Sequence, residues 1–141
     1  MRKIKIAESD QQIIKCHPVM AQLRPRFRRP GDFLRQVTRQ MAASDFRLVY
    51  LEEKEVLAVG SIRSGEWLAG GKYLEIEDLV TKDEERSKGL GGALFDWIVA
   101  YAEKENCRQI KLVSHVKRYG AHKFYLQKGM IIEAHYFSIA L

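Results

Sequence analysis

Apolar residues along the first third of the chain change their spacing, and each change predicts a different element. Residues 3–7 alternate polar and apolar side chains as a strand does. Ser9 is a good N-cap for a helix over residues 10–23, whose apolar side chains recur at helical spacing. Pro18 lies inside this helix and is expected to break or kink it. A second helix is predicted over residues 32–43.

The rest of the chain reads as strands interleaved with helices. Strands are predicted over residues 46–52, 56–64, 73–80, 109–114 and 130–141. Helices are predicted over residues 90–105 and 119–128. The order β-α-α-β-β-β-α-β-α-β predicts an α/β fold, with a mixed sheet and helices on both of its faces. The length of 141 residues fits a single domain over residues 1–141.

Composition narrows the class of protein. No stretch is apolar and long enough to cross a membrane, and the N-terminus lacks a signal peptide's apolar run. Cys16 and Cys107 lie far apart, which argues against a disulfide framework or a zinc site and favours a reducing, cytoplasmic setting. The net charge of +6 favours anionic ligands, but it is too modest to indicate nucleic-acid binding.

A glycine-rich turn is the strongest chemical signal in the chain. It joins the predicted strand 73–80 to the helix 90–105 and reads Arg86, Ser87, Lys88, Gly89, Leu90, Gly91, Gly92. Such a turn at a helix N-terminus directs unpaired N–H groups at an anion, most naturally a phosphate. The spacing is that of neither a P-loop nor a dinucleotide fingerprint. The turn therefore predicts a site for some other phosphorylated ligand.

Three segments together resemble the GNAT superfamily of N-acetyltransferases. They are the Arg86-x-x-Gly89-x-Gly91 turn, the acidic strand segment 76–80, and residues 121–130, which look like the family's Ala-x-x-Phe-Tyr-x-x-x-Gly-Phe segment. The chain departs from the family's pattern at Arg118, where Asn is common, and at Met130, where Phe is common. The resemblance implies a GNAT-like fold whose fourth and fifth strands splay apart.

The resemblance also implies a binding mode for acetyl-coenzyme A. The N–H groups from Ser87 through Gly92 would hold the pyrophosphate, with Gly89 and Gly91 as glycines because a Cβ would collide with the phosphates. Arg86 and Lys88 would neutralise phosphate charge. The pantetheine arm would pair with the backbone of Leu79, Val80 and Thr81, and an N–H near Leu79 or Val80 would stabilise the oxyanion.

For catalysis, the resemblance implies that Tyr125 protonates the departing thiolate. Glu77 and Asp78 are the candidate bases for the amine. Neighbouring strand residues point to opposite faces, so only one is expected to face the acetyl group unless a bulge intervenes. Glu77 is the first choice, Asp78 the second, and ordered water the alternative. Direct transfer without an acyl-enzyme and without a metal is expected.

The resemblance further implies that the first two helices and the loop between them form the acceptor site, with Arg26, Phe27 and Arg28 as expected contacts. An arginine-rich rim favours an amine that bears a carboxylate or phosphate, and small-molecule and protein amines both remain open. Two other functions are weighed. One is a non-catalytic module that senses acyl-coenzyme A or binds nucleic acid, and the other is a toxin-like transferase that acts on aminoacyl-tRNA. A homodimer paired through residues 136–141 is a further expectation.

Overall fold

A computed structural model describes residues 1–141 and contains five strands and four α-helices. The strands are β1 (Lys3–Ile6), β2 (Asp45–Glu52), β3 (Val56–Trp67), β4 (Gly71–Thr81) and β5 (Gln109–Leu112). The helices are α1 (Asp10–Leu23), α2 (Pro30–Ala43), α3 (Leu90–Lys104) and α4 (Tyr119–Gln127). None of these helices combines the length and apolar character that a membrane span requires. The chain forms two compact units, residues 1–111 and 112–141, which are described separately.

Helix α1 runs unbroken through Pro18, contrary to the expected break. Its start is fixed by a capping box, in which the Ser9 hydroxyl accepts from the N–H of Gln12 and the Gln12 side chain accepts from the N–H of Ser9. Pro18 removes the donor to the carbonyl of Ile14, a residue on the exposed side of the helix where water can replace it. Packing of the buried face compensates, since Val19 is 2% exposed.

The sheet has the strand order β1-β2-β3-β4-β5. The pairs from β1 to β4 are antiparallel. At the other edge, the N–H of Arg108 donates to the carbonyl of Lys72 at 2.8 Å, and the Lys111 ammonium lies 3.8 Å from the Glu75 carboxylate. The later residue of β4 thus lies beside the later residue of β5. The two strands therefore run parallel. This arrangement confirms the mixed sheet and the α/β class.

The hairpin between β3 and β4 is longer than the sequence pattern predicts. Trp67 was expected in a loop over residues 65–71, but β3 continues to Trp67. The Trp67 ring meets the Tyr73 ring edge-on, 5.6 Å between centroids, and the Lys111 ammonium lies 4.0 Å from the centre of the Trp67 ring. Aromatic pairing across the strands and this cation contact hold the hairpin's end in strand geometry.

Helices cover both faces of the sheet in residues 1–111. Helices α1 and α2 pack on one face, where residues such as Phe33, Tyr50 and Val80 share a single buried cluster. Helix α3 packs on the other face, because a Cβ on Gly60 of β3 would lie 3.4 Å from the Ile98 side chain. The predicted placement of helices on both faces is therefore confirmed.

Strand β4 contains one extra residue near its middle. Ser61 pairs with Asp78 and Ile62 pairs with Ile76, so Glu77 has no partner of its own on β3. Such a bulge interrupts the alternation of side chains between the two faces. Glu77 and Asp78 consequently point to the same face, the one that α1 and α2 cover.

Residues 112–141 contain one helix and a long irregular segment. Helix α4 buries no residue and ends at Gln127. Gly129 follows two residues later with a φ of 90°, and the N–H of Met130 donates to the carbonyl of Tyr125 at 3.1 Å. The strand predicted over residues 130–141 is not present, since no residue there joins a hydrogen-bonded ladder. Phe137 and Ile139 are each 86% exposed. Strand-like composition does not by itself supply a pairing partner.

Candidate active site

Residues 86–92, called the α3 turn below, leave backbone N–H groups without an acceptor in the helix. Gly89 is the N-cap of α3 and provides no capping side chain. The first helical bond at this end runs from the N–H of Ala93 to the carbonyl of Gly89, at 3.0 Å. The N–H groups of residues 90–92 therefore have no partner within the helix, and the helix dipole adds partial positive charge beside them. The α3 turn can receive an anion.

The two glycines of the α3 turn have different structural reasons. Gly89 has a φ of 79°, and a Cβ added to it would meet no atom within 4 Å, so its backbone conformation is what requires glycine. A Cβ on Gly91 would come within 3.2 Å of the Thr81 hydroxyl oxygen, so glycine there lets α3 approach the end of β4. Neither reason depends on the expected collision with a phosphate.

The cationic side chains of the α3 turn are already paired with nearby acids. Arg86 lies 2.8 Å from the Asp83 carboxylate, and Lys88 lies 2.7 Å from the Glu85 carboxylate. The side chains of Arg86 and Lys88 are 66% and 61% exposed, so these pairs are weak and solvated. A ligand phosphate at this turn would compete with the two carboxylates for the cations. The backbone N–H groups are therefore better placed to bind an anion here than the two cationic side chains.

Strand β4 continues beyond the end of β5. Arg108 bonds to Lys72 near the start of β4, and β5 ends only four residues later, at Leu112. Residues 78–81 of β4 therefore extend past the end of β5, although they still pair with β3. Leu79, Val80 and Thr81 lie in this stretch, which leads directly toward the α3 turn. The unequal strand lengths leave the edge that a splayed pair of strands requires.

A cavity of about 360 Å³, called the β4 cavity below, opens between α1, α2 and the middle of the sheet. Its apolar lining is Met20, Phe27, Phe33, Val37, Phe46 and Leu48. Its polar lining is Arg24, Arg26, Gln36, Gln40, Ser61, Glu77 and Asp78. This volume falls in the range of sites for small ligands, and the mixture of apolar walls and a few polar groups is typical of such sites.

Glu77 is held by a two-pronged ion pair. Arg63 of β3 donates from Nε to one carboxylate oxygen at 2.6 Å and from Nη2 to the other at 3.3 Å. The hydrogen bonds to Glu77 raise the pKa of the Arg63 guanidinium, with a smaller opposing effect from burial. Arg63 also donates to the Ser44 hydroxyl and lies 5.1 Å from the centre of the Phe46 ring. Both oxygens of Glu77 are thus engaged, and its position is fixed.

Asp78 lies on the same face and has different partners. The Ser61 hydroxyl donates to one of its oxygens, and Arg24 donates from Nε to the other at 2.6 Å. The Asp78 side chain is 17% exposed, whereas the Arg24 side chain is 48% exposed. Sequence reasoning expected only one of the two acids to face the site, and it allowed a bulge as the exception. The bulge at Glu77 is that exception, and it brings both carboxylates into the β4 cavity.

Two of the three loop residues that were predicted to contact the acceptor, Arg26 and Phe27, line the β4 cavity. Arg26 donates to the Gln36 side-chain oxygen at 2.6 Å and lies 4.2 Å from the centre of the Phe27 ring. Phe27 is 9% exposed, and a His17 ring nitrogen lies 2.6 Å from its carbonyl oxygen, which anchors the loop to α1. Arg28 is exposed and does not line the β4 cavity. Its contact with an acceptor stays a prediction.

Comparison with known proteins identifies the family. Residues 15–130, most of the chain, match the family described as the Acetyltransferase (GNAT) family. The chain belongs to the GNAT acetyltransferases. The resemblance that was based on the glycine turn, the acidic strand and residues 121–130 is thereby confirmed.

One protein is similar to this chain in sequence, and solved structures are similar to it in fold. A stretch of 68 residues is 41% identical to the uncharacterized N-acetyltransferase YhdJ of Bacillus subtilis (strain 168), and it spans 48% of each protein, about half of that relative's length. A transcriptional regulator from Bacillus halodurans C-125 superposes with a TM-score of 0.86 at 19% identity, with 100% of both chains covered. Glucosamine-6-phosphate N-acetyltransferase from Arabidopsis thaliana superposes with a TM-score of 0.76 at 22% identity, with 99% of this chain and 98% of that chain covered. These structural likenesses show the fold.

The acetyltransferase's remaining predicted catalytic residue lies in the second unit. Tyr125 is half-buried on α4, and its ring meets the Phe124 ring edge-on with 5.4 Å between centroids. Its role as the acid stays a prediction. No group of three His, Cys, Asp or Glu side chains is placed to hold a metal ion.

Sequence reasoning missed several polar residues of the β4 cavity. Ser61 donates to Asp78, and Arg63 donates to Glu77. Gln36 and Gln40 of α2 also line the cavity. Two residues apart on β3, Ser61 and Arg63 share one face of the hairpin with the acids. Opposite charges on adjacent strands are a usable signal, but reading it here requires the bulge, which the side-chain pattern does not reveal.

Proposed function

We propose that this GNAT acetyltransferase transfers the acetyl group of acetyl-coenzyme A directly to a primary amine bound in the β4 cavity. One observation carries the proposal. Strand β4 presents Glu77 and Asp78 to the cavity, continues through residues 79–81, which pair with β3 and extend past the end of β5, and ends beside the α3 turn at Gly91. A single strand therefore connects a pocket for the amine with a binding site for a phosphorylated thioester.

The α3 turn and the end of β4 fit acetyl-coenzyme A as a substrate. The N–H groups from Ser87 through Gly92 would bind the diphosphate, with Arg86 and Lys88 contributing once they leave their acidic partners. The backbone of Leu79, Val80 and Thr81 would pair with the pantetheine amides, as the unpaired edge of a sheet pairs with an extended segment. An N–H near Leu79 or Val80 would stabilise negative charge on the thioester oxygen.

Asp78 is the better candidate to receive the amine's proton. Glu77 is fixed by two hydrogen bonds from Arg63, whereas Asp78 is bound by Arg24, whose side chain is half exposed and can be displaced. An incoming ammonium would replace Arg24 at the Asp78 carboxylate and lose its proton there or to a water beside it. This reverses the order expected from the sequence, in which Glu77 came first.

In the transfer step, the neutral amine nitrogen forms a bond to the acetyl carbon while the carbon–sulfur bond breaks, and the nitrogen releases its remaining excess proton to water. The departing thiolate takes the phenolic proton of Tyr125, whose reference pKa of about 10 keeps it protonated at neutral pH. The enzyme's own side chains form no covalent intermediate in this scheme. Tyr125 regains its proton from solvent before the next turnover.

The test is thiol release from acetyl-coenzyme A in the presence of a panel of amines, with N-acetylated product identified by mass spectrometry. Tyr125→Phe should lower kcat about 100-fold or more, because it removes the proton donor. Tyr119→Phe is the matched control, since Tyr119 is on the same helix and is 75% exposed. Absence of saturable coenzyme A binding by calorimetry at millimolar concentration would refute the proposal.

The loop arginines fit an acceptor pocket better than a nucleic-acid surface. Arg24 is bound to Asp78, and Arg26 is bound to Gln36, both at the β4 cavity. Only Arg28 and Arg29 of this loop remain fully outside the cavity, which leaves little of the basic patch that a nucleic-acid module needs. The homodimer through residues 136–141 stays a prediction.

A further inference from the structure

The charges around the β4 cavity do not cancel. Glu77 is paired with Arg63, and Asp78 is paired with Arg24. Arg26 is the third guanidinium at this site, and no carboxylate lies within ion-pair distance of it. Its polar partner is the neutral side-chain oxygen of Gln36, at 2.6 Å. The cavity therefore has one guanidinium whose charge no protein acid neutralises.

The Arg26 guanidinium is held in place while most of its donors stay available. Gln36 donates from its amide nitrogen to the Gln40 side-chain oxygen at 3.1 Å, which turns the Gln36 oxygen toward Arg26. The guanidinium also lies over the Phe27 ring, 4.2 Å from its centre, and Phe27 is fixed by burial. A guanidinium has five N–H donors, and one of them is used by Gln36. The remaining donors can bind an anion in the two-pronged geometry that carboxylate and phosphate groups favour.

The rest of the cavity limits what can carry this anion. Its volume of about 360 Å³ suits a small molecule. Phe33, Phe46 and Leu48 form apolar walls among the polar groups, so the body of the ligand has apolar surface. An amine must reach the carboxylates of Glu77 and Asp78, and these belong to β4, whereas Arg26 belongs to the loop before α2.

We infer that the acceptor is a small amine that also bears an anionic group, and that Arg26 determines this specificity by binding the anion. The inference rests on the proposed function, because it assigns the β4 cavity to the acceptor. Carboxylate and phosphate share the chemistry that Arg26 recognises, and the experiment separates them. The amine would lie against Asp78, and the apolar part of the molecule would lie between the two charged ends.

The experiment compares acceptors that differ only in their acid group. Phenylalanine is compared with 2-phenylethylamine for the carboxylate, and glucosamine 6-phosphate with glucosamine for the phosphate. The wild type should acetylate the anionic member of at least one pair with a kcat/KM at least tenfold higher than its neutral counterpart. Arg26→Gln should lower kcat/KM for the anionic member about tenfold to 100-fold, mainly through KM, and lower kcat/KM for the neutral member much less, so that the preference is lost.

Two further variants distinguish recognition from general charge effects. Arg26→Lys keeps the charge but loses the paired N–H donors of the planar guanidinium. Its kcat/KM for the anionic acceptor should therefore lie between those of the wild type and Arg26→Gln. Arg39→Gln removes the same charge from an exposed position of α2 outside the β4 cavity, and it should leave the preference intact. Equal losses in Arg26→Gln and Arg39→Gln would show long-range attraction by net charge and would overturn the inference.

A binding measurement keeps the inference testable apart from the reaction. Thermal shift with each acceptor alone should show stabilisation of the wild type by an anionic amine, and little stabilisation of Arg26→Gln. Equal shifts from the charged and neutral members of both pairs would overturn the inference. Acetylation of neutral amines with no preference for acids would leave the proposed function standing and refute only this specificity. Failure of coenzyme A to bind would refute the proposed function instead.

Discussion

The α3 turn and the β4 cavity present charged and polar groups in opposite ways. The α3 turn offers backbone N–H groups at an exposed helix end, and its two cationic side chains are occupied by Asp83 and Glu85. The β4 cavity offers side chains from α1, the following loop, α2 and three strands, and its two carboxylates are held by Arg24 and Arg63. A backbone site tolerates changes in side chains, whereas a side-chain site fails when one group is removed. The two sites should therefore respond differently to mutation.

The largest effect is expected from Asp78→Asn in the β4 cavity. The change preserves shape but removes the group proposed to take the amine's proton, so kcat should fall about 100-fold to 1,000-fold. Coenzyme A binding by calorimetry should stay as in the wild type. Glu75→Gln is the control, because Glu75 is on the same strand and pairs with Lys111 outside the cavity. A kcat within threefold of the wild type for Asp78→Asn would assign the proton to water.

A smaller effect is expected from Gly89→Ala in the α3 turn. Alanine at a φ of 79° is strained by about 1–2 kcal/mol, which should distort the N–H groups and raise KM for acetyl-coenzyme A about tenfold. KM for the amine should not change. Gly120→Ala is the matched control, since a Cβ at Gly120 meets no atom within 4 Å and its φ is not positive. Equal effects of both changes on KM would remove the α3 turn from the binding site.

The buried core beside helix α1, next to the β4 cavity, should be sensitive to alkaline pH. Burial raises the pKa of the Cys16 thiol on α1 to about 12, against an ordinary value of 9.0. Between these values the folded state binds a proton that the unfolded state has lost, so the free energy of unfolding decreases as pH rises. Each unit of pH should change the unfolding constant by up to about tenfold for this one group.

Denaturant unfolding from pH 8 to pH 11 measures this slope. In Cys16→Ala the free energy of unfolding should decrease less steeply with pH. The difference in slope should correspond to about one bound proton. Cys107→Ala should change the slope less, because Cys107 is only half-buried, although burial raises the pKa of its thiol too. Parallel curves for the wild type and Cys16→Ala would mean that the thiol is ionised in the folded state or is not buried.

The smallest effect is expected at the side chains of the α3 turn. The double change Asp83→Asn and Glu85→Gln frees Arg86 and Lys88 from their partners, so coenzyme A should bind about twofold to threefold more tightly. The gain should vanish at high salt. Glu84→Gln is a control for net charge, because Glu84 contacts neither cation of the turn. An equal gain in that control would show that only the net charge matters.

The same contrast explains what the sequence could predict. The α3 turn is seven consecutive residues, and local backbone rules are enough to recognise an anion site there. The β4 cavity draws its lining from α1, the following loop, α2 and three strands. Its acids and loop arginines were expected from the resemblance and from charge. Ser61, Arg63, Gln36 and Gln40 were not, because their roles depend on strand register and helix packing.

The predictions about the fold that proved wrong also have specific physical causes. Pro18 was expected to break α1, but the buried face of the helix holds it together. Residues 130–141 have the composition of a strand, and the structure assigns none there because no neighbouring strand pairs with them. Local patterns report a preference of the backbone, whereas tertiary packing and pairing decide whether that preference is realised.

The bulge in β4 has a consequence for how such a site can arise. Removal of Glu77 would restore strict even–odd alternation, with Asp78 still opposite Ser61 and Ile76 still opposite Ile62. Every other side chain of the strand would keep its present side. The alternation of side chains along β4 therefore does not depend on Glu77. Insertion or deletion of a single codon is enough to gain or lose the second acid, and the protein need not be refolded around the change.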